Sequence, residues 1–432
     1  MTNKSGMYKD SGTAWIGNVP SDWEIRKGKV VFEQSKTKGN DVPILLAATQ
    51  KYGMIPQSQL EGVVQVGENA DMQSFKTVHK NDYVISLRSF QGGFEMSDYE
   101  GVCSPAYTVF RSRNRINHKY YKYLFKVKPF IEKINSFYQG IREGKQIHFE
   151  EFAKMDIPVP SLSEQSSIAT FLDEKCSEID SLVSLQVEMM EELQAYKQSV
   201  ITEAVTKGLN PKVPMKDTGI EWIGKIPAHW KLPRLKNAYS LHGRIGWNGL
   251  RSDEFRENSF AYLVTGQAFK SAEVDWSKCY QIEKERYEED PFIQLRNGDI
   301  LVTKDGTVGK IAKVSNLDKP ACLNSGIFVM RAYNDIHEQG YLYWLLVSPL
   351  LVKFNNYANL GGTTIIHLYQ NVFERMPLVV PPMNEQIEIS KYLDSKVSQI
   401  DSLINLKNEK IEELNEYKKC LIYEYVTGKK RV

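Results

Sequence analysis

The sequence predicts a mixed α/β (α+β) protein: two globular units joined by two long helices that form an antiparallel coiled coil, with internal pseudo-two-fold repetition. Three observations carry that expectation. The segment Trp15-Ile16-Gly17-Asn18-Val19-Pro20-Ser21-Asp22-Trp23 returns 207 residues later as Trp222-Ile223-Gly224-Lys225-Ile226-Pro227-Ala228-His229-Trp230. Residues 164–206 return 221 later as 385–427 with 22 of 43 positions identical, so the second echo is a duplicated segment and not a shared composition. Residues 24–160 and 231–380, between the echoes, are almost unalike. A chain that repeats its frame and varies its inserts presents two different surfaces in equivalent poses. The two offsets differ by 14 residues, all inside the second insert. The expected division is a globular unit over 1–160, a helix over 161–209, a linker and second globular unit over 210–380, and a second helix over 381–432.

The first insert offers a strand over 81–88 running into Gln91-Gly92-Gly93, a second strand over 106–111, a helix over 120–137 and a polar closing loop over 139–146. The second has a clearer version. Asn297-Gly298 leads the strand 299–303, the glycine turn Lys304-Asp305-Gly306-Thr307-Val308-Gly309-Lys310 follows, and 311–314 returns as a strand. A strand over 326–331, a helix over 341–355 and a closing loop over 359–364 complete it. The inserts therefore share a fold while differing in sequence.

Each repeated segment carries an apolar residue at seven-residue spacing: Leu172, Ile179, Leu193 and Val200 in one copy, Leu393, Ile400, Leu414 and Leu421 in the other. Residues three further on (Leu182, Met189, Tyr196; Leu403, Tyr417) complete an a/d seam, widened by Val183, Ile404 and Ile411. Gln186 and Lys407 break the seam at equivalent places, a device that fixes register at some cost in stability. Prolines precede both helices (Pro158 and Pro160; Pro381 and Pro382), and glycines follow them (Gly208; Gly428). Ser161-x-x-Glu164 is a capping-box candidate that the second copy lacks. A single-striped helix of roughly 60–65 Å, at 1.5 Å per residue, needs a partner, and the nearest is its own copy. A dyad relating the copies makes the pair antiparallel and brings the chain termini together.

With 42% hydrophobic and 25% charged residues in 432, each unit can bury a core. The sequence contains neither a run of eighteen apolar residues nor a signal-peptide core at Met1-Thr2-Asn3-Lys4-Ser5, so no membrane partner is expected. Five scattered cysteines without a Cys-x-x-Cys pair indicate a reducing, cytoplasmic setting without structural zinc. The net charge of +2 hides a redistribution: residues 24–160 balance at +5 and residues 161–209 at −6. Arg111, Arg113, Arg115, Lys119, Lys122, Lys126 and Lys128 form an acid-free run interleaved with Tyr120, Tyr121, Tyr123 and Phe125. Such a run suits a phosphate backbone; it equally suits a helix whose aromatics pack inward.

Trp-Ile-Gly-x-[Ile/Val]-Pro-x-x-Trp stands before each insert, and Pro-x-x-x-Glu-Gln-x-x-Ile leads each helix (Pro160, Glu164, Gln165, Ile168; Pro381, Glu385, Gln386, Ile389). Together with the Gly-Asp-Ile-Leu strand at 298–301, this doubled set resembles the DNA-specificity subunit of type I restriction-modification enzymes along essentially the whole chain. The resemblance implies two target-recognition domains, each reading one half of a bipartite, asymmetric site in double-stranded DNA. It implies an antiparallel coiled coil that spaces them and docks two methylation subunits and, through these, restriction subunits. Methyl transfer and cleavage would belong to those partners.

The residues themselves agree that this chain is not an enzyme. There is no Asn/Asp-Pro-Pro-Tyr/Phe tetrapeptide, no His-x-x-x-His spacing and no Gly-x-Ser-x-Gly elbow. Gly306-Thr307-Val308-Gly309-Lys310 fails as a P-loop, with its first glycine too close and Ile311 where Ser or Thr should stand. Glu143-Gly144-Lys145 has nuclease-like Glu-x-Lys spacing, but it is a common tripeptide. No cofactor or metal is expected. Candidate DNA-binding residues lie beside turns and closing loops: Arg88, Ser89, Gln91, Arg111, Arg113, Lys145 and Gln146 in the first insert, and Lys304, Thr307, Lys310, Thr363, Thr364 and His367 in the second. Lys and Arg suit phosphates or guanine edges, and Gln suits adenine; for each residue the plain alternative is a surface side chain. A silent or orphan specificity subunit, and a coiled-coil scaffold without DNA readout, are the rival readings.

Overall fold

A computed structural model describes residues 8–39, 44–50, 52–60, 72–86, 93–137, 147–244, 250–270, 272–306, 308–334, 336–358 and 367–432. The chain forms two compact units, one of Met1–Gln186 with Asn408–Val432, the other of Val187–Lys407. The division falls in the middle of both long helices, Leu162–Lys207 and Met383–Val426. Each unit thus holds one insert, the first half of the helix that follows it, and the second half of the other copy's helix.

Within each unit the two half-helices run antiparallel. In the first, Phe171 packs on Tyr425 with ring centroids 4.5 Å apart, and Lys418 bonds Asp180 at 2.6 Å. In the second, Lys197 bonds Asp401 at 2.7 Å and the Lys407 ammonium meets the Met189 sulfur at 3.7 Å. In each, contacts later on one helix fall earlier on the other. The seam is not the expected a/d pair. Leu172, Ile179, Leu393 and Ile400 are buried, but their buried companions lie four residues on, at Cys176 and Val397, while Leu182, Tyr196, Leu403 and Tyr417 are exposed. The insert cores set this rotation: Ile168, Leu172 and Ile179 join the first core, and Ile389, Leu393 and Val397 join the second. Turning those residues toward the inserts turns the expected d positions outward.

The repeated tryptophan segment is a hairpin in both copies, Tyr8–Asp10 with Asn18–Pro20 and Met215–Asp217 with Lys225–Pro227, at the same register. Trp23 and Trp230 are fully buried. Each sits where the opposite helix ends in a left-handed glycine, Gly428 (φ 72°) and Gly208 (φ 75°); a Cβ on either would come to 3.0 Å from the indole. In the second unit the helix end and hairpin are joined by continuous chain. In the first the join is non-covalent: the Lys429 ammonium donates to the carbonyls of Ile16 (2.6 Å) and Asn18 (2.5 Å), and Arg431 pairs with Asp22. This draws the C-terminal end of the chain onto the N-terminal hairpin.

Both inserts are built on the same antiparallel core. In the first the order is Phe32–Gln34, Thr108–Ser112, Tyr83–Ile85, Phe94–Met96. In the second it is Tyr239–His242, Ile327–Ala332, Ile300–Thr303, Ile311–Lys313, extended by Glu273–Val274 and Phe269–Lys270. A three-stranded sheet of Tyr280–Ile282, Ala261–Val264 and Ala321–Leu323 adds a separate core layer. The weaker Gly-Asp signal of the first insert has a clear counterpart: Asn81 takes the left-handed turn (φ 70°) that Gly298 takes in the second (φ 97°). Asparagine is the side chain that tolerates that region best. Each helix expected after the sheet is two helices, His118–Leu124 with Lys128–Asn135 and Gln339–Val347 with Pro349–Ala358. Pro129 and Pro349 open the second helix of each pair, where the missing N–H costs nothing.

Candidate nucleic-acid interface

The structure places the candidate residues in three different situations. Arg88, Ser89, Gln91, Lys145, Gln146, Thr307, Thr363 and Thr364 lie outside the described residues. Arg111 is half-buried and held at the sheet, donating to the Asp82 carboxylate (3.1 Å) and the Ser35 hydroxyl (2.9 Å). Its counterpart Arg331 holds Asp299 with two bonds, at 2.9 and 2.7 Å. An Asp–Arg pair at the same point of two otherwise unlike sheets identifies a fold element. Arg113 is exposed beside Glu33 at 3.4 Å and donates to the Phe32 carbonyl.

The second insert gathers what it shows of its candidates. His367 bonds Asp305 in the glycine turn and packs on Tyr369 with ring centroids 4.4 Å apart. The Leu368 N–H donates to the Lys304 carbonyl at 2.9 Å, so the chain at His367 and Leu368 is pinned to the turn. Lys304 lies over the Phe328 ring at 4.8 Å, and burial lowers its ammonium pKa from the ordinary value. Lys310 is exposed at the far end of the turn, its N–H donating to the Thr303 hydroxyl at 2.9 Å. Lys304, Lys310 and His367 therefore share one neighbourhood, although 57 residues separate Lys310 from His367.

The basic-aromatic run resolves toward packing. Tyr120, Tyr121 and Phe125 are fully buried in the first core. Five of the seven cations have carboxylate partners: Arg111 with Asp82, Arg113 with Glu33, Lys119 with Asp173, Lys126 with Glu95 and Lys128 with Glu132. Arg115 is exposed. These partners leave the run with few cations open to a phosphate backbone: Arg115, Lys122 and Arg113, whose contact with Glu33 is solvent-exposed on both sides.

The shared motifs do a different job, which the sequence alone did not assign. Gln165 accepts the Asn117 N–H at 2.8 Å and donates to the Pro160 carbonyl at 2.9 Å; Gln386 does the same with Glu338 (2.8 Å) and Pro381 (2.9 Å). Asn117 and Glu338 are the caps of the insert helices. In the first turn after each cap, Tyr120 donates to the Val426 carbonyl (2.8 Å), in the last turn of the opposite long helix, and the Tyr341 hydroxyl lies between the carbonyls of Val379 (2.9 Å) and of Val205 (3.3 Å) in the equivalent last turn. Glu164, expected in a capping box, donates its N–H to the Ser161 hydroxyl (3.3 Å) but turns its carboxylate to Arg431 at 3.2 Å. Glu385 instead accepts from Trp230 (2.9 Å) and bonds His229 (2.7 Å).

The family model of the type I restriction modification DNA specificity domain matches residues 20–186 and again 250–416. The chain belongs to that family. It is similar to the type I restriction enzyme MjaVIII specificity subunit of Methanocaldococcus jannaschii, 25% identical over 96% of this chain and 94% of that one. It is also similar to the EcoBI specificity subunit of Escherichia coli, 23% identical over 63% of this chain and 58% of that one. Two solved structures share the fold. One, from work on complex assembly and conformational transition of the type I R-M system, superposes with a TM-score of 0.72 at 17% identity, covering 94% of this chain and 98% of that one. The other, the HsdS subunit from Thermoanaerobacter tengcongensis, gives 0.55 at 16% identity over 95% and 98%. No helix among the described residues is long and apolar enough to cross a membrane, and no cluster of His, Cys, Asp and Glu among them could hold a metal.

Proposed function

We propose that this chain is the sequence-specific DNA-binding subunit of a type I restriction-modification complex. Each insert reads one half of a bipartite, asymmetric site, and the long helices set the gap between the halves. One observation carries most of this reading: two inserts with unlike surfaces are clamped to equivalent helix ends by the same glutamine, tyrosine and glycine contacts. In the second unit the reading surface centres on Lys304, Lys310 and His367, with Thr307, Thr363 and Thr364 beside them in sequence. In the first, Arg113 and the segments holding Arg88, Ser89, Gln91, Lys145 and Gln146 take that part, while Arg111 mainly braces the sheet.

The chain itself is non-catalytic; methyl transfer and cleavage are supplied by partner subunits in the cytoplasm. Exposed leucines favour two equivalent docking faces for methylation subunits. Leu182 and Leu185 are exposed on one helix, and Leu403 and Leu406, their counterparts 221 residues later, on the other. Apolar side chains left open at matching places suit two copies of one partner. Co-expression with a methylation subunit and mapping of methylated positions tests the reading. A single bipartite sequence is expected, and deleting one heptad from both helices should change its gap and neither half. Methylation without a bipartite consensus, or an unchanged gap after the deletion, contradicts it.

A further inference from the structure

The second unit contains a groove of about 1110 Å³ that lies apart from the turn bearing Lys304 and Lys310. Its wall includes Arg234, Lys353, Arg375, Trp222 and Tyr357, with Glu221 the one acid among the lining residues. The three cations come from separate elements. Arg234 stands beside Pro377 where the insert's entering and leaving strands meet, Lys353 lies on the helix Pro349–Ala358, and Arg375 follows the helix Gln370–Phe373. All three are exposed, and among the described residues none has a carboxylate within ion-pair distance. Tyr357 is 66% exposed, and Trp222 packs on Phe354 with ring centroids 6.0 Å apart, which fixes its orientation in the wall.

The first unit treats the matching position differently. Lys27, the counterpart of Arg234 at the 207-residue offset, bonds Asp156 at 2.8 Å. The residue matching Asp156 in the second copy is Pro377, which can neutralise nothing. Trp15, matching Trp222, is buried against Phe130. The uncompensated charge is thus a property of the second insert and not of the repeated frame.

We propose that this groove holds the phosphate backbone of the DNA flanking the second half-site, with Arg234, Lys353 and Arg375 on nearby phosphates and no base read there. This rests on the DNA-reading function above. Three cations against one carboxylate, on a concave wall, complement a polyanion, and the exposed ring offers a face to sugar or base. Chain connectivity limits the distance to the reading turn. Ala358 on the groove wall and His367 at the turn are nine residues apart. At ~3.3–3.6 Å per residue they are separated by at most about 32 Å, less than one turn of duplex. The groove therefore lies within one helical turn's length of the surface proposed to read the half-site.

The test uses the full chain co-purified with its methylation subunit and a duplex carrying the mapped site, with binding measured across salt concentrations. The triple variant R234Q/K353Q/R375Q should lower the slope of log K against log salt by about 2–3, at roughly 0.9 for each phosphate no longer neutralised, and leave the methylated sequence unchanged. E221Q removes the opposing charge and should tighten binding, a gain that misfolding cannot produce. Trimming the duplex by one turn beyond the second half-site should abolish the difference between wild type and triple variant. A wild-type slope in the triple variant overturns the proposal, as does a changed methylated sequence, which would make the groove a base reader. Dissociation of the methylation subunit with the slope intact would also overturn it, marking the groove as a protein-docking surface. Failure of the wild-type complex to bind any duplex would instead refute the DNA-reading function on which the proposal rests.

Discussion

The first unit fills its core mainly with mutually packed rings, and the second mixes rings with aliphatic side chains on the same sheet. Phe32, Tyr83, Phe94, Phe110, Phe125 and Phe152 pack on one another, with Phe110 and Phe152 centroids 5.1 Å apart. The matching region of the second keeps rings at Tyr239, Phe328 and Phe373 but sets Ile300, Val302, Ile311, Leu342, Leu345 and Leu346 among them. Despite this the two hang from the helices by the same bonds. Those bonds end on backbone groups: the glutamines hold a proline carbonyl and a cap N–H, and the tyrosines hold the last helical carbonyls. Contacts that address backbone are indifferent to what the core contains. An insert can therefore be replaced wholesale while the frame still holds it, which is the property a protein needs if its inserts carry information.

Substitutions can break or sharpen that comparison. The largest effect is expected at the shared tryptophans: Trp23→Ala and Trp230→Ala should each destabilise their own unit by about 3–5 kcal/mol, read by hydrogen exchange in each unit. Trp→Phe should separate them, because Trp230 donates to Glu385 whereas the buried Trp23 indole N–H has no partner among the described residues. Trp230→Phe should cost more.

Glu95 should distinguish the units by pH. It is buried against Lys126 at 2.5 Å, and burial pushes its carboxyl up to about 7, while its counterpart by register is Ala312. A carboxyl whose folded pKa exceeds its unfolded value contributes stability that is full below about 4.5 and lost as pH rises through about 7. The first unit should thus weaken by about 2–3 kcal/mol between about pH 5 and 8, and Glu95→Gln should flatten that profile; an unaltered pH profile in the variant would refute the assignment.

Gln165→Ala and Gln386→Ala each orphan a cap N–H and should cost about 1–2 kcal/mol, equally in the two units, by denaturant unfolding. Unequal costs would show that the frame is less shared than its bonds. Smallest of all, Lys310→Ala should lower the salt slope of DNA binding by about one, with the sequence read unchanged.

The frame was legible in the sequence because duplication printed it twice: the helices, the tryptophan segment and the antiparallel pairing follow from the two offsets, while the strand-turn-strand at 299–313 was legible from its own glycine turn. The phase of the helix seam was not, because heptad spacing leaves the rotation open and the insert cores decide it. Nor could the basic run be resolved from sequence, since the partners Asp82, Glu33, Asp173 and Glu95 lie 29 to 80 residues from the cations they neutralise. The groove was invisible for the same reason: Arg234, Lys353 and Arg375 span 141 positions and meet only in the fold. Of the candidates, Lys304, Lys310 and His367 could be grouped from the sequence because glycines punctuate the turn and the closing loop that flank them; their part in reading DNA is the proposal made above.

The most direct test of the division between constant frame and variable inserts is an insert exchange. Residues 231–380 are replaced by the corresponding insert of a related specificity subunit, and the methylated sites of the resulting complex are mapped. One half-site should change, while the other half and the gap between them stay as in the parent. A change in both halves, or in the gap, would show that reading and spacing are not separable in this chain.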